Sequence, residues 1–148
     1  LNIDYGSYIW LSASVLARYI IYKKAYIEGK TVLEIGCGTA LPGILAAKLG
    51  AKVILSDSKK SPYIFENILR NIKENHLTNV DILQLDWGLF NSAILNCQPI
   101  DVVLGSDCLY NSKDFDKVLS TVSYLLANNL MAEFWMAYES RRQVKIFV

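Results

Sequence analysis

Cysteine, histidine and proline are scarce in this chain, and each scarcity removes a class of protein. The three cysteines, Cys37, Cys97 and Cys108, are odd in number and irregularly spaced, which excludes a disulfide framework. With His76 as the one histidine they do not reach zinc spacing either, so no metal is expected and a reducing compartment is the simplest reading. Three prolines and eight glycines, in a chain that is 53% hydrophobic and 20% charged, exclude a disordered, collagen-like or low-complexity protein. Charge of one sign is not in excess: 15 Lys plus Arg stand against 14 Asp plus Glu. No global field therefore favours nucleic acid or an anionic membrane, and neither is an expected direct partner. Long apolar runs are missing as well. Tyr8 to Tyr22 carries Arg18 and two serines, short of the ~18 to 20 uncharged residues of a membrane span. No signal peptide is read at the start. The first residue is Leu1 rather than methionine, so the chain need not begin where translation does.

What is present fits one domain, since 148 residues lie within the roughly 100 to 200 of a single domain. Trp10 to Tyr22 places Leu11, Val15 and Tyr19, with Leu16 and Ile20, at helical spacing. Thr31 to Ile35 reads as a strand buried on both faces, ended by Gly36-Cys37-Gly38. A short helix from Leu41-Pro42 closes at Gly50, and Val53 to Ser56 is a second buried strand ending at Asp57. Ile64, Ile68 and Ile72 mark the next helix, opened by Ser61-Pro62. Val80 to Leu85 forms a third strand before Asp86-Trp87-Gly88, and Ile100 to Gly105 a fourth before Ser106 to Tyr110. Phe115 to Leu126 is predicted helical and Leu130 to Tyr138 a fifth strand. Strands alternating with helices at this spacing predict an α/β fold, a parallel sheet covered on both faces.

In such a sheet, ligands bind beyond the carboxyl ends of the strands, near the point where strand order reverses. Gly36 and Gly38 let the backbone turn tightly and approach a ligand; read alone, the pair is equally a plain strand-to-helix turn. Asp57, 19 positions after Gly38, stands where such folds put a carboxylate on ribose hydroxyls. A dinucleotide fingerprint wants a third glycine where this chain has Leu41, with glycine only at Gly43. Glu34 puts a carboxylate beside the loop, a poor neighbour for pyrophosphate and a suitable one for a ligand bearing an ammonium and a sulfonium. A nicotinamide-dependent oxidoreductase is thereby disfavoured.

Val32 to Gly38 resembles motif one of the class I methyltransferases that use S-adenosylmethionine, a Rossmann-like fold. Taken with Tyr5-Gly6 and Trp10, Leu41-Pro42-Gly43, Leu55-Ser56-Asp57, Trp87-Gly88 and Ser106 to Tyr110, the chain is similar to the lysine methyltransferase-like family often called family 16, from Tyr5 to Glu139. The runs Leu41 to Lys48 and Val53 to Ser58 look most like a member regarded as a histone H3 arginine methyltransferase. The resemblance implies that Trp10 packs by the methionine end of the cofactor, with Glu34 nearby and Gly36, Cys37 and Gly38 passing under it. Asp57 would take the ribose, Asp86 the adenine amino group, Trp87 the ring, and Ser106 the place under the sulfonium. Asp107 and Tyr110 would be the catalytic pair facing the methyl acceptor. A protein substrate such as a histone tail, chaperone association, and a nuclear and cytoplasmic location are implied in the same way.

Plainer readings stand beside these. Trp10 and Trp87 could be core aromatics, Asp107 a helix cap, and Cys37 and Cys108 small buried residues. His76 reads as a solvated loop residue, and Tyr138-Glu139 as the end of a strand. An arginine acceptor needs carboxylates to orient its guanidinium; Asp107 is nearest, with Glu139, Asp114 or Asp116 as helpers. The two-glutamate hairpin of the main arginine methyltransferases is absent, which keeps lysine as the alternative acceptor. A non-catalytic form that retains a cofactor pocket is the third reading. The complete fold of that class has seven strands. Only ten residues, Glu139 to Val148, follow strand five, whereas a helix of ~11 residues and two strands of ~5 need more than twenty. The last helix and strands six and seven are expected to be lacking, the domain to be C-terminally truncated, the tail to form one short strand at most, and strand five to be a bare edge.

Overall fold

The structure, a computed structural model, describes residues 8–60, 62–140 and 143–147. Tyr5, Gly6 and Ser61, used in the sequence reading, lie outside the described residues. The elements run α1 (Leu11–Tyr22), α2 (Lys24–Ile27), β1 (Thr31–Ile35), α3 (Leu41–Lys48), β2 (Lys52–Asp57), α4 (Pro62–Glu74) and β3 (Val80–Gln84). They continue as α5 (Ser92–Leu95), β4 (Val102–Ser106), a 3-10 turn (Ser112–Asp114), α6 (Phe115–Ala127), β5 (Glu133–Ser140) and β6 (Gln143–Phe147).

One sheet forms in the order β3-β2-β1-β4-β5-β6. β1 pairs in parallel with both β2 and β4, so strand order reverses at β1 and β4, whose carboxyl ends open the crevice predicted for a ligand. Alternation along each strand divides the core. Val32, Val53, Leu55, Val102 and Leu104 pack with residues of α1, α3 and α4 on one face. Leu33, Ile35, Ile54 and Val103 pack with residues of α5 and α6 on the other. The period of two along β1 sends Glu34 to the same face as Val32, beneath α3.

Three expectations change. In α1 the buried stripe is Ser12, Ala13, Leu16, Ala17 and Ile20, while Leu11 is exposed; small residues bring this helix close to the sheet. Leu130 and Met131 do not begin β5 but stand almost fully exposed in the turn before it, where Ala132 N donates to Asn129 O. The tail adds one strand, the most its length allowed, and so partly restores the antiparallel edge expected to be lacking. β6 pairs antiparallel with β5 from Met136↔Phe147 to Ser140↔Gln143, so β5 is not a bare edge. Two residues join the strands, which suffices because an antiparallel partner needs only a hairpin, not a crossover.

Candidate cofactor and acceptor site

The loop after β1 turns through left-handed backbone at Gly36 (φ +58°) and Gly38 (φ +50°). Glycine is required at position 36 twice over, because a Cβ there would sit 2.5 Å from Trp87 Cζ2. The Trp87 turn is fastened in turn to α6, where Gly88 N donates to Thr121 Oγ1 at 2.8 Å. Cys37 N donates to Ser56 O, and Gly38 N to Asp57 Oδ2 at 2.9 Å, tying the loop to the end of β2. Asp57 Oδ1 accepts from Ser58 N, and the Ser58 hydroxyl donates to Asp86. Gly36, Gly38, Asp57, Asp86 and Trp87 are therefore brought together at the ends of three adjacent strands, by direct approach or through one intervening residue. The carboxylates of Asp57 and Asp86 line this stretch as hydrogen-bond acceptors.

Glu34 lies under the same loop and is fully buried. Its Oε2 accepts from Gly43 N at 2.8 Å, whereas its Oε1 has no hydrogen-bond partner among the described residues. A Cβ at Gly43 would meet Leu55 Cδ2 at 2.4 Å and Glu34 Oε2 at 2.6 Å, so glycine here lets α3 reach the carboxylate. In the sequence Gly43 reads as a glycine out of dinucleotide register and as part of the Leu41-Pro42-Gly43 motif; its partner is a side chain nine residues earlier. Burial pushes the Glu34 carboxyl up to about 8, the Gly43 bond pulling back and Asp57 adding to the rise. This donor set, acidic and acceptor-rich, fits a cationic, hydroxyl-bearing ligand such as S-adenosylmethionine. It does not fit a pyrophosphate. Beside the loop, a cavity of about 390 Å³ opens between α3 and α4, with Ile9, Thr39, Leu41 and Ile44 among its walls.

At the end of β4, Asp107 holds left-handed backbone (φ +52°), uncommon for a residue with a side chain. Its N–H donates to Ala137 O in β5, its Oδ1 accepts from Glu139 N at 2.9 Å, and its Oδ2 accepts from the Ser12 hydroxyl of α1 at 2.6 Å. Asp107 caps no helix: the following 3-10 turn is capped by Asn111, whose side chain accepts from Lys113 N. Of the three candidate helpers, Glu139 adjoins Asp107. Asp114 instead pairs with Lys117 at 2.7 Å, and Asp116 is exposed in the first turn of α6. Ser106 is half-buried, and Tyr110, four residues on, is exposed. Trp10, half-buried and edge-on to Tyr8 at 5.4 Å, precedes α1 by one residue and Ser12 by two, so the start of α1 borders this end of the sheet.

Cys37 and Cys108 are buried. Desolvation, with the Glu34 and Asp57 carboxylates adding to it, pushes both thiols up, which suits packing rather than nucleophilic chemistry. His76 is exposed just beyond α4. Among the described residues no cluster of metal-ligating side chains occurs.

A family model described as lysine methyltransferase matches residues 1–147. Histone-arginine methyltransferase METTL23 of Xenopus laevis is 48% identical over 141 residues, covering 95% of this chain and 60% of the relative. Its Homo sapiens counterpart is 39% identical over 90% of this chain and 70% of the relative. Protein N-lysine methyltransferase METTL21A of Danio rerio is 33% identical over 79% and 54%. The chain thus spans about 60% of the length of the first of these relatives. In fold it is similar to magnesium protoporphyrin IX methyltransferase of Synechocystis with bound SAM, at TM-score 0.65 and 17% identity over 88% of this chain and 59% of that one. Ribosomal protein L11 methylase of Lactobacillus delbrueckii gives TM-score 0.64 at 18% identity, over 88% and 61%.

Proposed function

The chain belongs to the lysine methyltransferase family, whose cofactor is S-adenosylmethionine, and from that premise we propose that it methylates a protein side-chain nitrogen, the acceptor being an arginine of histone H3. One observation carries the arginine reading: the Asp107 carboxylate, just past β4, is held at 2.9 Å by the backbone N–H of Glu139 in β5, which brings a second acidic residue to the same end of the sheet. A guanidinium, with a pKa above ~12, stays charged and must be oriented by carboxylates. It also matches the relatives named for arginine.

When bound, S-adenosylmethionine supplies an electrophilic methyl on a sulfonium. Glu34, whose Oε1 has no hydrogen-bond partner among the described residues, would accept from its ammonium. Asp57 and Asp86 would receive the ribose hydroxyls and the adenine amino group, and Trp87 would cover the ring. Ser106 and Trp10 would border the methionine end. Asp107 would align the acceptor nitrogen, with Tyr110 three residues on as the second candidate; as the nitrogen takes the methyl, the C–S bond breaks to leave S-adenosylhomocysteine and the nitrogen's proton would pass to a carboxylate or to water. Orientation accounts for most of the rate in this arrangement, because displacement at carbon needs little covalent help from the protein.

Lysine is the second reading, favoured by the METTL21A likeness and by the absence of a two-glutamate hairpin. Desolvation would lower an amine from ~10.4 and free its lone pair without a second carboxylate. Incubating the chain with labelled S-adenosylmethionine and histone H3, then locating the label by mass spectrometry, separates the two. Cofactor binding without any label on protein would favour a form that keeps the pocket but does not turn over. A histone substrate would place the chain in the nucleus as well as the cytoplasm, which imaging of a tagged chain would test.

A further inference from the structure

We propose that Ser12 is a positioning residue for the acceptor, acting through Asp107; the proposal rests on the reading of Asp107 as the carboxylate that faces the methyl acceptor. Ser12 lies on α1 with no exposed surface, among Ala13, Leu16 and Ala17. A hydroxyl in such a place needs a partner, and it finds one 95 residues away in Asp107 Oδ2, at 2.6 Å. The opposite oxygen is held by Glu139 N at 2.9 Å, and the backbone of residue 107 by Ala137 O. A carboxylate turns readily about its terminal torsion unless both oxygens are held. Glu139 N and Ser12 Oγ together fix the plane, and each oxygen keeps lone-pair capacity for a cationic donor.

Three elements, α1, β4 and β5, thus converge on one carboxylate whose own backbone is in a sparsely populated conformation. Such conformations persist where the surroundings over-determine them, and they cluster at functional sites. Two of the tethers are backbone groups, set by the fold. Ser12 is the side-chain tether, so the sequence of α1 tunes how firmly Asp107 is aimed.

The test uses the full chain saturated with S-adenosylhomocysteine and a fluorescein-labelled histone H3 tail peptide read by anisotropy. Ser12→Ala is expected to weaken the peptide about tenfold, as a misplaced orienting group would, while the Kd for S-adenosylhomocysteine and the melting temperature stay close to the parent values. Ser12→Thr, which keeps the hydroxyl, restores peptide affinity. In a double-mutant cycle, Ser12→Ala adds no further loss once Asp107→Asn is present. Additive losses, or an unchanged Kd in Ser12→Ala where Asp107→Asn loses binding, would overturn the positioning role alone. A peptide that Asp107→Asn binds as tightly as the parent, or that the parent does not bind, would overturn the acceptor reading itself.

Discussion

Replacing Glu34 by glutamine should make the protein more stable and worse at holding its cofactor. The carboxyl is fully buried, has one oxygen on Gly43 N and the other without a partner among the described residues, and is pushed from its ordinary 4.5 up to about 8. Between those values the folded chain keeps a proton that the unfolded chain releases, so stability falls as pH rises, by about 1.4 kcal/mol per unit. From pH 5.5 to pH 8 the parent therefore loses about 3 kcal/mol through this group. Glu34→Gln, neutral throughout and still able to accept from Gly43 N, lacks that loss. Urea unfolding of both proteins should show a gap in favour of the variant that is about 3 kcal/mol wider at pH 8 than at pH 5.5. Cofactor binding should run the other way. At pH 6.5 Glu34 is almost wholly protonated and the ligand's ammonium already charged, so pairing them releases about one proton. Calorimetry of S-adenosylhomocysteine in buffers of different ionisation enthalpy counts it. A stability gap that does not widen with pH would refute the burial argument, and binding with no proton release would refute the ammonium contact.

Gly43→Ala should destabilise by roughly 2 to 4 kcal/mol, because its Cβ would overlap Leu55 and Glu34 at 2.4 and 2.6 Å; thermal denaturation measures it. Gly36→Ala combines a left-handed φ with a Cβ 2.5 Å from Trp87, so a loss of about 2 kcal/mol or more should come with a shift in tryptophan emission as the indole is displaced. Titration of the native chain with a thiol reagent should label Cys97 alone, and slowly, with Cys37 and Cys108 reacting only after denaturation. Met131→Lys, at a position 90% exposed, should change stability by less than about 0.5 kcal/mol, contrary to what a strand position would give.

Much of this site was legible because parallel strands buried on both faces announce themselves as apolar runs, and their ends as abrupt changes to Gly, Asp and Ser. Gly36, Gly38, Asp57, Asp86, Trp87 and Asp107 all follow such runs. The contacts that join them are long-range and left no local mark. Ser12 looks like a filler between apolar residues, and its role depends on a carboxylate 95 positions later. Gly43 departs from the dinucleotide spacing, and the depth of Glu34 explains it. Leu130 and Met131 were misread because hydrophobicity without alternation does not separate a strand from an exposed turn. The tail's length allowed one short strand, but its pairing with β5 left no mark, because a two-residue connection has little room for a signal.

On the function proposed above, Asp107, at the end of β4, aims an arginine nitrogen at a methyl donor held over the β1 loop. Mass spectrometry of histone H3 after incubation with the chain and S-adenosylmethionine carrying a deuterated methyl tests it most directly. The account predicts the heavy methyl on arginine, and its loss in Asp107→Asn with S-adenosylhomocysteine affinity retained. Heavy methyl on lysine, or equal labelling of arginine by the parent and Asp107→Asn, would contradict it.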